Sequence, residues 1–485
     1  MRNKVLKEAP LVKLAVCLMA GIVVGQYVAQ PLLPVLAGLV AVTLLLGRYP
    51  QVQSVLIALC LVVLGALLMQ RQRNALIVSW PEGEVPYEAV VTSEPVRKPK
   101  TVAVDILMTA NGRKLKAYIT DDSHSRRLHV GDGLSVRSVI RPNREWHMGT
   151  FDYRRYLEIH GFTGSTFIGS RQWQKAQVKL NGLSYLERTR LFFLRFRRHL
   201  AGRLEGENTG GEAYAVVVAM ALGDKSALTQ ELKEVYSATG ASHVLALSGL
   251  HLGIIYTLLS LLIVGRRWHA FSQLLLVGGI WAFVLLVGLP VSVVRAALML
   301  TVYALLSLGR RDKMSVNTLA FTAIVMLMAS PLSLFDVGFQ LSFMAVLSIL
   351  LWLPMAEGLV PQPFLLQHRV VKWVWSVVVV SFAAQLGVAP LVAYYFGRFS
   401  TCFLLTNLIV LPAAVVILWL SIAVLAFPSL AYLLLYIADL LNTALAWLAA
   451  LPGTSIGGLH PSAVQVLMVY VIIASLWLLA DRLKE

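Results

Sequence analysis

Apolar runs separated by short polar links fill most of this chain, and residues 82–170 are the long stretch that departs from the pattern. Runs at 11–28, 31–46 and 54–69 approach the ~17–25 residues a helix needs to cross a bilayer, and predict three membrane helices within residues 1–70. Further candidates lie at 242–264, 272–288, 291–308, 317–330, 339–355, 373–396, 403–426, 430–451 and 463–480, in a core assigned to residues 211–485 and beginning near Tyr236. Some, such as 317–330, are short enough to be re-entrant, so direction is better determined than the number of crossings.

The departure has period 2. Val102, Val104, Ile106 and Met108 alternate with Ala103, Asp105, Leu107 and Thr109 as in a half-buried strand, with Leu107 the misfit. Asn111-Gly112 predicts a hairpin turn between that strand and Lys114–Thr120. Tyr87–Val96, Val130–Ile140 and Gly161–Ile168 add strands, and this set suits a small barrel in an insert spanning 71–180. In residues 181–210, Leu191, Phe192, Leu194 and Leu200 are set against Arg190, Arg195, Arg197, Arg198 and Arg203. They predict an amphipathic helix lying at the membrane interface. A basic collar at a pore mouth is the other role open to it.

Charge adds direction. Charged residues make up only 14% of the chain against 58% hydrophobic, well below the roughly 25% of soluble domains, so an integral membrane protein with a soluble portion is indicated. Of the net charge of +17, the largest share falls in residues 71–210, where 24 Lys or Arg face 14 Asp or Glu. That excess points to a polyanionic partner, although a soluble face carries charge in any case. Arg2, Lys4 and Lys7 precede the first run, Arg48 follows the second, and the link at Gln30-Pro31 is uncharged. The positive-inside rule then puts the N-terminus in the cytoplasm and the insert outside, with Arg71 and Arg73 dissenting. Arg266-Arg267, Arg310-Arg311-Lys313, Arg369 with Lys372, and the tail Asp481–Lys484 all fall inside on this scheme. The alternate links at Pro290, Asp336 and Gly457 are nearly free of positive charge, Arg398 excepted. The N-terminus lacks an Ala-x-Ala site and reads as a first membrane helix, not a cleaved leader. Cys17, Cys60 and Cys402 lie in apolar runs and read as packing residues.

Candidate chemistry concentrates at Thr239–Gly253 (TGASHVLALSGLHLG), where His243, Ser248, Gly249, His251 and Gly253 interrupt an apolar run. Hydrocarbon cannot satisfy a broken backbone, so such a segment is buried in protein or lines a wet path. Path lining is the reading adopted, with close helix packing through small residues as the alternative. Two imidazoles without a third ligand make no metal site, and no His-Glu-x-x-His or His-x-His-x-Asp-His occurs; no cofactor is expected. Arg295 sits inside another apolar run, where an arginine is costly unless paired or hydrated. Asp336 is an available partner or, equally, a helix cap; an unpaired Arg295 facing a wet path would attract phosphates. Asp439 and Lys13 lie in apolar runs without a motif, and read as locally paired or snorkelling.

Four blocks carry a family resemblance. Thr239–Gly253 with Ala221–Ser226 (ALGDKS), Gly288–Met299 (GLPVSVVRAALM), Ser330–Phe343 (SPLSLFDVGFQLSF) and Gly149–Leu157 (GTFDYRRYL) resemble, in order, the ComEC family of polytopic competence proteins. The resemblance covers nearly the whole chain. It implies an OB-like insert, hence a polytopic α-helical membrane protein with a small extracytoplasmic OB-like β-barrel insert. It also implies a channel that passes single-stranded DNA across the cytoplasmic membrane in natural transformation. OB barrels combine basic grooves with stacked aromatics, which makes Tyr153, Arg154, Arg155 and Tyr156, after Phe151, candidate DNA contacts. Aromatics in the core with solvated arginines is the alternative.

Many ComEC relatives carry a C-terminal metallo-β-lactamase-like domain. This sequence ends at Glu485 after its last apolar run, without a metal motif for that domain, so a separate nuclease is expected. No Gly-x-x-x-x-Gly-Lys-Ser/Thr loop occurs, so a cytoplasmic motor and a DNA receptor are expected as further partners, and an oligomer is open. A small-solute or ion transporter also needs broken helices and buried charge, but not a basic barrel. An intramembrane hydrolase built on Ser248 with His243 or His251 lacks a nearby carboxylate, so no enzyme is expected.

Overall fold

Small residues bring the first and third helices together. The computed structural model describes residues 9–143, 147–148, 151–204, 211–263, 269–308, 316–356 and 358–483. Helices α1 (Pro10–Gly25), α2 (Leu33–Leu45) and α3 (Pro50–Leu76) form the N-terminal unit. A Cβ at Gly21 would overlap the Val62 carbonyl, and one at Gly65 would overlap the Leu18 carbonyl. Gly21 and Gly25 lie four apart on one face of α1, the spacing that lets membrane helices pack backbone to backbone. Leu18 and Ile22 are fully buried beside them.

Helix α3 leads into a closed barrel of β1 (Glu84–Val91), β2 (Thr101–Met108), β3 (Lys114–Thr120), β4 (Gly133–Arg141) and β5 (Phe162–Ile168). β1 pairs antiparallel with β2 and β2 with β3; β3 pairs parallel with β5, β5 antiparallel with β4, and β4 returns to β1. That order, 1-2-3-5-4-1, is a five-stranded Greek-key barrel of OB type. The hairpin forms where its pattern predicts it: Gly112 adopts φ +65°, and the Arg113 N–H donates to Asn111 Oδ1 at 3.0 Å. The misfit Leu107 also has its reason. With Val90 it points out of the barrel and is buried against Leu183 and Leu191 of the following segment.

A short helix, α4 (Tyr153–Ile159), occupies the β4–β5 connection and is capped by Asp152, which accepts from the Arg155 N–H at 3.0 Å. The amphipathic stretch is helix α5 (Tyr185–Leu204). Its Leu191 packs on the barrel, while Leu200 and Leu204 enter the main membrane core. It is thus a wedge between two bodies, with Phe192 and Phe196 exposed.

The core opens with α6 (Glu212–Leu222), which the sequence pattern misses by starting the core near Tyr236. Its residues 215–222 are all buried, against helices far along the chain. Gly223 ends it at φ +74°, where a Cβ would also overlap the Leu247 side chain. There follow α7 (Gln230–Ala238), α8 (Ser242–Leu245), α9 (Gly249–Ile263), α10 (His269–Leu286), α11 (Val291–Leu308) and α12 (Val316–Ala329). The last group is α13 (Val337–Ala356), α14 (Gln362–Gln367), α15 (Arg369–Phe396), α16 (Phe403–Ala426), α17 (Ala431–Ala450) and α18 (Ala463–Leu483).

Among the described residues, α3, α13, α15, α16, α17 with its preceding turn, and α18 are long and apolar enough to cross a membrane; α1, α2, α9 and α12 are apolar but shorter. Arg2, Lys4, Lys7, Gly149, Thr150, Arg266, Arg267, Arg310, Arg311, Lys313 and Lys484, on which part of the orientation and one motif rest, lie outside the described residues.

Candidate functional site

The apolar run at 242–264 is not one helix. Thr239 and Gly240 turn the chain after α7, with Gly240 at φ +81°; α8 lasts one turn, residues 246–248 are non-helical, and α9 starts at Gly249. His243 and His251 therefore do not share the face that a continuous helix would give them. At the break, the Ser248 N–H donates to His251 Nδ1 at 3.3 Å, and the Ser248 hydroxyl lies 3.1 Å from the same nitrogen. Histidine here takes the part of the glutamate in a capping box. A backbone N–H can only donate, so Nδ1 accepts and the neutral ring carries its proton on Nε2. That Nε2 is buried without a partner, in a residue wholly removed from solvent.

Arg295 comes to the same place from α11. It is 5% exposed, its Nε and Nη1 have no partner, and its guanidinium lies 5.5 Å from the Phe343 ring. A Cβ built at Gly249 would stand 4.0 Å from its Nη2, so the cation faces the first residue of α9. The start of a helix is itself electropositive. An unpaired guanidinium thus faces the start of a helix, which leaves this corner of the core rich in donors and without a carboxylate.

Asp336 does not supply one. Its Oδ1 accepts from the Phe339 N–H at 2.8 Å, so it caps α13, and among the described residues it forms no ion pair with Arg295. Of the two roles open to Asp336, the structure shows the cap. His243 is exposed, with Nδ1 3.0 Å from the Gly240 carbonyl. Nothing lies within 4 Å of a Cβ at Gly253, and one at Gly249 would meet Ala296 at 3.4 Å. Neither glycine is demanded by close packing.

The Tyr153–Tyr156 stretch lies elsewhere, where the barrel meets the core. The Arg155 guanidinium stacks 4.2 Å over Phe335, and its Nη2 is 3.4 Å from Gln26 Oε1 of the segment after α1. Arg154 pairs with Glu158 at 2.9 Å. The Tyr153 hydroxyl is 2.7 Å from that of Tyr118, and burial pushes its phenol above the usual range, the Tyr118 bond adding to this. Tyr156 is 40% exposed and stacks with Tyr153, ring centroids 6.0 Å apart. These four residues gather at a joint, away from the donors around Arg295.

The pattern also misses Gln72 and Gln340. Gln72 accepts from the Leu332 N–H at 3.0 Å and donates to Ser330 Oγ at 3.2 Å. Gln340 donates to the Leu334 carbonyl at 3.0 Å and accepts from Tyr395 at 2.8 Å. Neutral polar residues in apolar helices carry too weak a signal to be found without their partners.

A broken, donor-rich core beneath an OB-type barrel defines a multi-pass membrane protein with a built polar interior. The family model for competence proteins matches residues 220–483, more than half of the chain, and the chain belongs to that family. It is 26% identical over 69% of its length to ComE operon protein 3 of Bacillus subtilis, covering 41% of that protein. It is 24% identical over 58% of its length to Recombination protein 2 of Haemophilus influenzae, covering 34% of it. A protein of Aquifex aeolicus is 38% identical over 30% of this chain. The chain spans less than half the length of these relatives. No solved structure matches it.

Proposed function

We propose that this protein is the channel that carries single-stranded DNA across the cytoplasmic membrane in natural transformation, with its barrel outside and its C-terminus inside. The observation that supports this most is Arg295, buried and unpaired beside the N-terminus of α9. A strand passing there would bring phosphate oxygens to donors that otherwise have none. Membership of the competence family supports DNA as the cargo. The chain holds no phosphate-binding loop of the NTPase type, so in this reading a separate motor drives transfer, and a receptor and a nuclease act before it.

Ser248 and His251 are read as a cap, not as a nucleophile and base. Nδ1 already accepts from a backbone N–H, and no carboxylate orients the ring among the described residues. A small-anion transporter is the second reading, favoured by the same orphaned donors; it gives no role to the barrel. Labelled DNA offered to cells lacking the protein tests the first. It should be bound outside and fail to reach the cytoplasm, and His251→Leu should reproduce that loss with normal membrane insertion. Normal cytoplasmic uptake in the deletion strain overturns the channel.

A further inference from the structure

A cavity of about 890 Å³ lies where the barrel, helix α5 and the core meet. The β1–β2 loop brings Arg97 to it, α5 brings Arg190 and Arg197, and the start of the α6–α7 region brings Lys225 and Lys233. Against these five cations stand three carboxylates, Glu94, Asp105 and Asp224. Asp105 is already engaged by Lys116 at 2.7 Å.

Among the described residues Arg197 forms no hydrogen bond or ion pair, with Glu94 as the charge that acts with it across the cavity. Arg190 donates from Nη2 to the Gly288 carbonyl at 3.2 Å, while its Nε is buried without a partner. A guanidinium nitrogen buried without an acceptor, as the Arg190 Nε is, is unfavourable, and planar guanidinium forks match phosphate oxygens. The interspersed carboxylates keep the net attraction modest, which suits a strand that must move on and not a phosphate held for good.

Place decides among anions. OB barrels take oligonucleotides on loops between their first two and last two strands. Here the β4–β5 connection is committed to the core through Arg155 and Phe335, which leaves the β1–β2 loop, and that loop forms a wall of the cavity. The far wall is Gly288, seven residues before Arg295 on the chain that becomes α11.

We propose that this cavity is a binding port for the phosphodiester backbone of a single strand, at which the barrel passes the strand to the core. The onward passage rests on the channel reading; the binding does not. The test uses full-length protein in phosphatidylcholine nanodiscs and a fluorescent oligothymidylate, with anisotropy followed as salt rises. Lys225→Gln should lower the log–log salt slope by about 0.7, and Arg197→Gln with Lys225→Gln by about 1.4. Arg171→Gln, an exposed barrel arginine outside the cavity lining, should leave it unchanged.

If Arg197→Gln does not fold, Lys225→Gln on its exposed loop carries the result alone. Equal slopes in wild type and port variants overturn the port. So does a protein that binds no strand but is stabilised by phosphatidylglycerol in a Lys225-dependent way, since the cavity would then be a lipid headgroup site. Cation-dependent strand binding together with normal DNA uptake in the deletion strain leaves the port standing and removes the channel.

Discussion

Replacing Arg295 by methionine should stabilise the protein while disabling it. The guanidinium is 5% exposed, two of its nitrogens have no partner, and the Phe343 ring at 5.5 Å is the compensation present. An arginine at the centre of a membrane helix costs about 2.5–3.5 kcal/mol on insertion scales. A cation–π contact returns roughly 0.5–2 kcal/mol, which leaves about 0.5–3 kcal/mol against the fold. Methionine fills similar space without charge and adapts to irregular gaps. In detergent, Arg295→Met should therefore melt about 1–4 °C higher than wild type.

Transformation should fall at least about tenfold, the effect of losing ~1.4 kcal/mol at the step the cation assists. Arg295→Lys keeps the charge but not the fork, and should fall between. The assay pairs thermal melting of purified protein with transformation frequency normalised to the amount in the membrane. A lower melting temperature, with transformation falling only as protein is lost, would make Arg295 structural and refute the reasoning. Wild-type transformation would remove it from the path.

Burial, before any other influence, holds Lys114 down from 10.5 to about 8, which corresponds to roughly 3 kcal/mol against the charged form. Between those values the unfolded chain binds more protons than the folded one, so stability rises with pH there. Lys114→Met should raise the melting temperature at pH 7 and lose that gain as pH passes 8; an unchanged gain at pH 10 would refute the cause. Gly21→Leu cannot fit against Val62 and should break the α1–α3 contact, read as a lower melting temperature of the purified protein, whereas Gly38→Leu on the open face of α2 should leave it unchanged; equal melting of the two would refute the packing. Asn111→Cys at the exposed hairpin tip should react with an impermeant thiol reagent once the outer barrier is opened; labelling only after inner-membrane lysis would invert the topology.

Local patterns read correctly where one residue's neighbours in sequence are also its constraints. The barrel strands and the Asn111-Gly112 turn are of this kind. Leu107 looked out of place because a period-2 pattern assumes one wet face, and here α5 covers it. Helix α6 was missed for a related reason. Its apolar run is too short to cross a membrane, and its burial comes from α16 and α17, some 200 residues on, which no window can include.

The site shows the same division. The break at Ser248 and the placing of Arg295 inside an apolar run follow from residue types in sequence, and both were legible; whether Arg295 has a counter-charge was not. What Asp336 and Arg155 touch was not, because each choice between cap, pair and surface is settled by partners distant in sequence.

Those distant partners converge on Ser330–Phe343. Gln72 of α3 holds its first turn, Arg155 of the barrel stacks on Phe335, and Tyr395 of α15 bonds Gln340. Asp336 caps α13, and two turns further on the same helix places Phe343 against Arg295. One short block therefore touches the N-terminal unit, the barrel and the donors in the core. A barrel clamped at Phe335 cannot tilt without loading the cap of α13, and α13 carries the ring on which Arg295 rests. On the proposed port, strand binding at the barrel would reach the buried cation through this block of packed side chains. The cavity beside α5 lies across the barrel's other connection to the core, so the strand's route would run between two fixed joints. That arrangement explains why the tyrosine–arginine stretch, basic and aromatic as a binding surface would be, is spent on docking.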